Sequence, residues 1–154
     1  MSAAKKAPAK SPIKKVAQET SPTDQTLSVW PYSLFTDYDI DLFLVGKHFR
    51  LYEKMGSHLL TVEKTGGSYF SVWAPNAIRV SVVGDFNNWE RNAHELNKRR
   101  DKSGIWEGFI PNLKKGDVYK YFVKGFDESE HLKGDPYAFR WEHPPQTASI
   151  IWDT

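Results

Sequence analysis

A chain of 154 residues that is 40% apolar and 14% aromatic can bury the core of one folded domain, which excludes global disorder. It has no cysteine, which excludes a disulfide framework, a thiolate nucleophile and a cysteine-based zinc site. No apolar run approaches the ~18 residues that span a bilayer, and the first residues lack the apolar stretch of a secretory signal, so a cytoplasmic setting is expected.

The net charge of +2 is unevenly distributed. Residues 1–28 carry Lys5, Lys6, Lys10, Lys14 and Lys15 against Glu19 and Asp24, a net of +3, whereas residues 29–154 sum to −1. The basic stretch is rich in Ala, Lys, Pro, Ser and Thr without an amphipathic period, and reads as a disordered tail. Nucleic acid is therefore not an expected partner; a weak hold of the tail on an anionic surface is the residual electrostatic role.

Order is expected from about Trp30. Asp37 to Gly46 opens with acidic residues and closes on glycine, the start and stop signals of a short helix, with Ile40, Phe43 and Leu44 on one face. His48 to Gly56 alternates briefly and runs on to Leu60. Residues 29–62 thus form a helix-plus-hairpin extension, and residues 63–154 form the main body.

From Ser68 onward the pattern is all-β. Ser68–Ala74 is a strand ended by Pro75, and Ile78–Val83 is a strand leading into Gly84-Asp85-Phe86-Asn87-Asn88-Trp89. His94–Arg99 is a weaker strand. Ile105–Ile110 follows, with Ile105 and Phe109 on one face and Trp106 and Ile110 on the other. Val118–Lys124 and Thr147–Trp152 complete the set. Strands at this spacing, with turn residues between them and no helical patterns, predict an immunoglobulin-like antiparallel β-sandwich. Tyr69, Phe70, Trp73 and Phe122 are assigned to its core.

Catalytic signals are lacking. There is no Gly-x-Ser-x-Gly elbow, no phosphate-cradling glycine loop, and the five histidines show no metal-ligand spacing, so no metal or cofactor is expected. Asp85 and Glu90 flank a turn, but a small sandwich offers no cleft for paired carboxylates, and Asp85 is expected to satisfy turn amides. Sugar binding fits better. A sugar ring offers C–H groups on its faces and hydroxyls at its edge, which suits an aromatic platform beside amides and a cation. Trp89 with Asn87 and Asn88 supplies platform and amides; a cap on the sandwich core is the alternative for Trp89. Lys120, opposite in register to Tyr119 and Tyr121, supplies the cation or is a solvated sheet position. Trp106 is a second platform or a buried core ring.

Residues 133–145 form an irregular, proline-rich segment carrying Tyr137, Phe139 and Trp141. Large rings on such a loop fold over a core edge or meet a partner. The chain stops just after Trp152 without a polar terminus, so further sequence is expected to follow.

The segments Ser71–Asn76, Val80–Trp89, Ser103–Glu107, Tyr119–Tyr121 and Asp135–Phe139, with Thr147–Ser149, Trp152-Asp153 and the upstream Leu42–Lys54 region, closely resemble the N-terminal region of bacterial glycogen branching enzymes. The resemblance runs from about residue 35 to the end. It implies a family 48 carbohydrate-binding module, a sandwich that precedes an α-amylase-type (β/α)8 barrel, and a partner in α-1,4-glucan or glycogen. The barrel would carry the chemistry, so no catalytic residue carries over. The tryptophan of the Asn-Trp turn maps to Trp89 and the lysine of the Tyr-Lys strand to Lys120. The second platform tryptophan of glucan-binding relatives has no counterpart in Gly125–His131; Phe126 is the substitute. Tyr137, Phe139 and Trp141 are expected to face the barrel. A docking module without useful sugar affinity and a glucan-sensing scaffold are the alternatives.

Overall fold

The computed structural model describes residues 27–48 and 50–153. The tail expected over 1–28 lies outside these residues except for Leu27 and Ser28, and the Ser28 hydroxyl donates to the Ala93 carbonyl at 2.6 Å.

The one α-helix among the described residues, α1 (Asp37–Leu44), starts at a capping box. The Thr36 hydroxyl accepts from the Asp39 N–H at 3.1 Å, and the Asp39 carboxylate accepts from the Thr36 N–H at 2.8 Å, so two otherwise orphan amides are satisfied. Asp39 also meets His48 Nε2 at 2.9 Å and Lys54 Nζ at 3.4 Å. Burial works against its charge, but the Thr36, His48 and Lys54 contacts outweigh it and hold the carboxyl at about 2. The helix stops at Gly46, whose φ of +72° suits glycine.

Nine strands follow: β1 (Gly56–Val62), β2 (Thr65–Trp73), β3 (Ala77–Val83), β4 (Asn97–Lys98), β5 (Ile105–Pro111), β6 (Val118–Gly125), β7 (Glu130–Lys133), β8 (Arg140–Trp141) and β9 (Ser149–Ile150). One sheet runs β1-β2-β5-β4; the other runs β3-β6-β9-β8, with β7 also on β6. Every pairing is antiparallel. The expected immunoglobulin-like sandwich is what forms. Strand β6 is interior, with β3 on one side and two short partners on the other, β9 along Val118-Tyr119 and β7 along Tyr121–Lys124.

Register decides the faces. Val72 pairs with Trp106 and Ser68 with Ile110, which sends Phe70, Val72, Trp106 and Ile110 inward against Val80, Val82, Tyr119 and Tyr121. Tyr69, Ile105 and Phe109 take the other face, as the alternation of β5 implies. That face is covered as well: Trp30 lies against Phe109 at 5.5 Å, Tyr32 against Tyr69 at 6.1 Å, and Phe35, Ile40 and Met55 cover Ile105. The N-terminal segment therefore acts as a third layer over the first sheet. Each fully buried apolar side chain contributes about 1.5–3 kcal/mol by area.

A polar strap holds that layer in place. Tyr69 donates its hydroxyl to Glu107 at 2.8 Å, and Arg99 donates to Glu107 and to Ser33 at 3.0 and 2.7 Å. Burial raises the Glu107 carboxyl, and Arg99 opposes the rise.

Candidate functional site

The turn after β3 is not a two-residue hairpin. Asp85–Asn87 make one 3-10 turn, and Asn88 and Trp89 both take left-handed backbone, with φ of 56° and 59°. The chain then doubles back along β3, with the Val82 N–H on the His94 carbonyl and the Leu96 N–H on the Val80 carbonyl. Only Asn97-Lys98 of the weak strand expected over 94–99 is a strand, and it pairs with β5 in the other sheet.

Gly84 is required here by space rather than by dihedral freedom, since a Cβ would sit 2.1 Å from the Val118 carbonyl oxygen. The turn is thus pressed onto the start of β6. Trp89 donates its N–H to the Gly84 carbonyl at 2.9 Å and its indole Nε1–H to Asp85 at 2.9 Å, leaving the ring 37% exposed. Asp85 therefore holds the indole, where satisfaction of turn amides was expected. Asn87 performs that backbone task instead: its carbonyl accepts from the Gly84 N–H at 3.1 Å, and its amide donates to Val82 O at 3.0 Å and to His94 Nδ1 at 2.9 Å. With Nδ1 accepting, the His94 proton sits on Nε2, and burial lowers the ring's tendency to charge.

Lys120 pairs with Val83 at the same end of β3, on the outward face, and its ammonium donates to the Thr147 hydroxyl at 2.5 Å. Trp89, exposed Asn88 and Lys120 therefore share one end of the second sheet. The other expected members do not join them. Asn87 spends its amide on the fold. Trp106 is a core ring, 7% exposed, with its indole N–H on the Ala74 carbonyl at 3.0 Å, and offers no platform. Phe126 is 65% exposed but is tied to Asn76 at the far end of β3, about 20 Å away at the rise of a strand.

A second feature lies just beyond β7, whose Lys133 pairs with Tyr121. Asp135 is fully buried, and its carboxylate accepts from the Tyr119 and Tyr121 hydroxyls at 2.6 and 3.0 Å and from the Tyr137 N–H at 2.8 Å. Burial raises the carboxyl above its usual range, and these donors pull it back. Asp135 also donates its own N–H to the Ser149 hydroxyl at 2.9 Å, so it pins the 134–141 segment to both β6 and β9. Tyr137 packs, half-buried, against the cluster around Met55. Phe139 lies edge-on to His58 at 5.9 Å and is 39% exposed. Trp141 lies on Gly134, where a Cβ would come within 2.3 Å of its ring, and is 45% exposed.

Trp73 was assigned to the core, but it is 55% exposed. Its parity puts it on the outer face of the first sheet, where the N-terminal layer ends at Phe43, 6.4 Å away and edge-on. Its place at the last position of β2, two residues before Pro75, was the available sign that no further strand would cover it. Trp73, Phe126 and Trp141 line an open groove of about 920 Å³. Among the described residues, no group of three or more His, Cys, Asp or Glu could hold a metal ion, and no helix is long and apolar enough to cross a membrane.

An antiparallel sandwich that holds exposed indoles in place can present aromatic platforms to a ligand. Residues 54–138 match carbohydrate-binding module 48 (isoamylase N-terminal domain), and the chain belongs to that family. It is 52% identical over 118 residues to the 1,4-alpha-glucan branching enzyme GlgB of Thermosynechococcus vestitus, covering 77% of this chain and 15% of that protein. The Aquifex aeolicus enzyme of the same name is 46% identical over 121 residues, covering 79% of this chain and 19% of that protein. The chain thus spans less than a fifth of the length of these relatives. Among solved structures, Klebsiella pneumoniae pullulanase complexed with maltotriose aligns with a TM-score of 0.50 at 25% identity, over 65% of this chain and 10% of that one. Ligand-free PulA from the same organism aligns at 0.51 and 24% identity over the same shares, a likeness of fold.

Proposed function

We propose that this chain is the non-catalytic, α-glucan-binding and positioning N-terminal module of a cytoplasmic 1,4-alpha-glucan branching enzyme. In the full-length protein a following (β/α)8 barrel would transfer α-1,4 chains to 6-hydroxyls of glycogen. The observation that carries the reading is the Trp89 indole, anchored through its N–H by Asp85 and left exposed at the same sheet end as Lys120. An anchored ring keeps its face for a sugar without losing side-chain freedom on binding. Asn88 and the Lys120 ammonium, the latter exchanging Thr147 for a sugar hydroxyl, supply edge hydrogen bonds. One ring and two polar groups give modest affinity, suited to holding a polymer rather than retaining a small sugar.

Contact with the barrel falls to the segment pinned by Asp135. Of its three rings, Phe139 is the one left for such a contact, because Tyr137 packs inward and Trp141 faces the groove.

Affinity electrophoresis through gels with and without glycogen tests the binding. Wild type is retarded by glycogen, Trp89→Ala markedly weakens the retardation, and Lys120→Ala weakens it less. Equal mobility of a folded wild type in both gels would overturn the reading and leave a docking role alone.

A further inference from the structure

Two of the three exposed indoles among the described residues, Trp73 and Trp141, line the groove that runs along β7 from Asn76 and Phe126 to Gly134, and Trp89 does not line it. Both are fixed. Trp73 donates its Nε1–H to the Ser103 carbonyl at 3.0 Å, and Trp141 rests on Gly134 beneath the Asp135 lock. Phe126 stands at the lip. A held yet exposed ring is a platform, whereas an incidental surface ring is free to fold down.

The groove also carries polar groups between its rings. Asn76, His131 and Lys133 line it, and among the described residues no hydrogen bond or ion pair engages their side chains. Its formal charges, Asp127 and Lys133, cancel, so the lining offers donors and acceptors without net charge. A neutral polyol with apolar ring faces complements that surface; a nucleic acid or an acidic peptide does not. The volume of about 920 Å³ exceeds what one sugar fills and is open along its length, as a chain segment requires.

We propose that this groove holds a short segment of an α-glucan chain, at a second site separate from the Trp89 turn. The inference rests on the α-glucan reading above but not on Trp89. Glucose units stack on the Trp73 and Trp141 indoles, and Asn76 and Lys133 bond the hydroxyl edge. The groove opens on the β7 side of the second sheet and Lys120 on its outward face, so one polymer can engage both sites, the second contact is intramolecular and the hold on a polysaccharide exceeds that on a short oligomer.

The test is two-dimensional NMR of the uniformly nitrogen-15-labelled chain titrated with maltoheptaose, following the indole N–H signals of its six tryptophans. The Trp73 and Trp141 signals are expected to move, the buried Trp30 and Trp106 signals to stay fixed. In Trp89→Ala the groove signals still move, with a dissociation constant within about twofold of wild type. Trp141→Ala weakens the response of Trp73 at least about fivefold, and Lys133→Ala, which leaves every ring in place, weakens it about threefold. Movement of Trp89 with fixed Trp73 and Trp141 signals would overturn this proposal alone, and the groove would then be bare or a protein contact. Groove responses that vanish in Trp89→Ala would also overturn a separate site. Silence of all six would overturn the α-glucan reading with it.

Discussion

The turn after β3 and the groove along β7 expose indoles by opposite means. At the turn, the hydrogen bonds that shape the Trp89 platform are local, involving Gly84, Asp85, Asn87 and His94, and Val118 is the distant contact on Gly84. In the groove, Trp73 is held by Ser103, while Trp141 depends on a carboxylate pinned by tyrosines 14 and 16 residues away and on Ser149. The first platform is a property of a turn, the second a property of the assembled sandwich. A local platform survives damage elsewhere; an assembled one fails with its anchor.

The largest expected effect separates the two platforms. Asp135→Ala leaves the Tyr119 and Tyr121 hydroxyls and the Tyr137 N–H buried without their acceptor, and costs about 3–5 kcal/mol in denaturant unfolding. In the protein that remains folded, the Trp141 indole signal loses its dispersion while the Trp89 signal keeps its response to glucan. Loss of both responses together would break the distinction.

A smaller effect runs the other way. Gly84→Ala drives a Cβ into the Val118 carbonyl and costs about 2 kcal/mol. It lifts the turn from β6, so glycogen retardation at the Trp89 site falls while the Trp73 and Trp141 signals are unmoved.

The smallest is a control that touches neither platform. Asp39→Ala removes the α1 capping box and costs about 1 kcal/mol, with both sites unchanged. Because the folded Asp39 carboxyl titrates at about 2 against 3.8 in the unfolded chain, its stabilisation is present above the unfolded value and is lost as pH falls through the folded one. Acid unfolding of the wild type below about pH 5 should therefore be steeper than that of Asp39→Ala.

Much of this molecule was legible in its residues. The six strand centres, the helix and its glycine stop, and the two faces of β5 follow from alternation and turn chemistry, because these are local constraints. So does the placing of Trp89 at a turn, where Gly, Asp and Asn permit left-handed backbone and 3-10 geometry. Lys120 outward against Tyr119 and Tyr121 follows from strand parity alone. Strands β7 and β8 escaped, since each is a short stretch that is a strand only because β6 or β9 lies beside it.

The tertiary structure decided which rings are available. Trp73 and Trp106 lie on neighbouring strands with similar local patterns, but register sends Trp106 between the sheets and Trp73 to an outer face beyond the reach of the N-terminal layer. Phe126 follows the same strand as Lys120, yet the antiparallel direction of β6 carries it to the opposite end. Asp85 holds the indole and Asn87 takes the turn amide because hydrogen-bond geometry, not residue type, selects which side-chain oxygen meets the backbone and which meets the indole. Composition and spacing determine that a sandwich forms and where it turns. Burial and long-range packing determine which aromatic faces are left to meet a ligand.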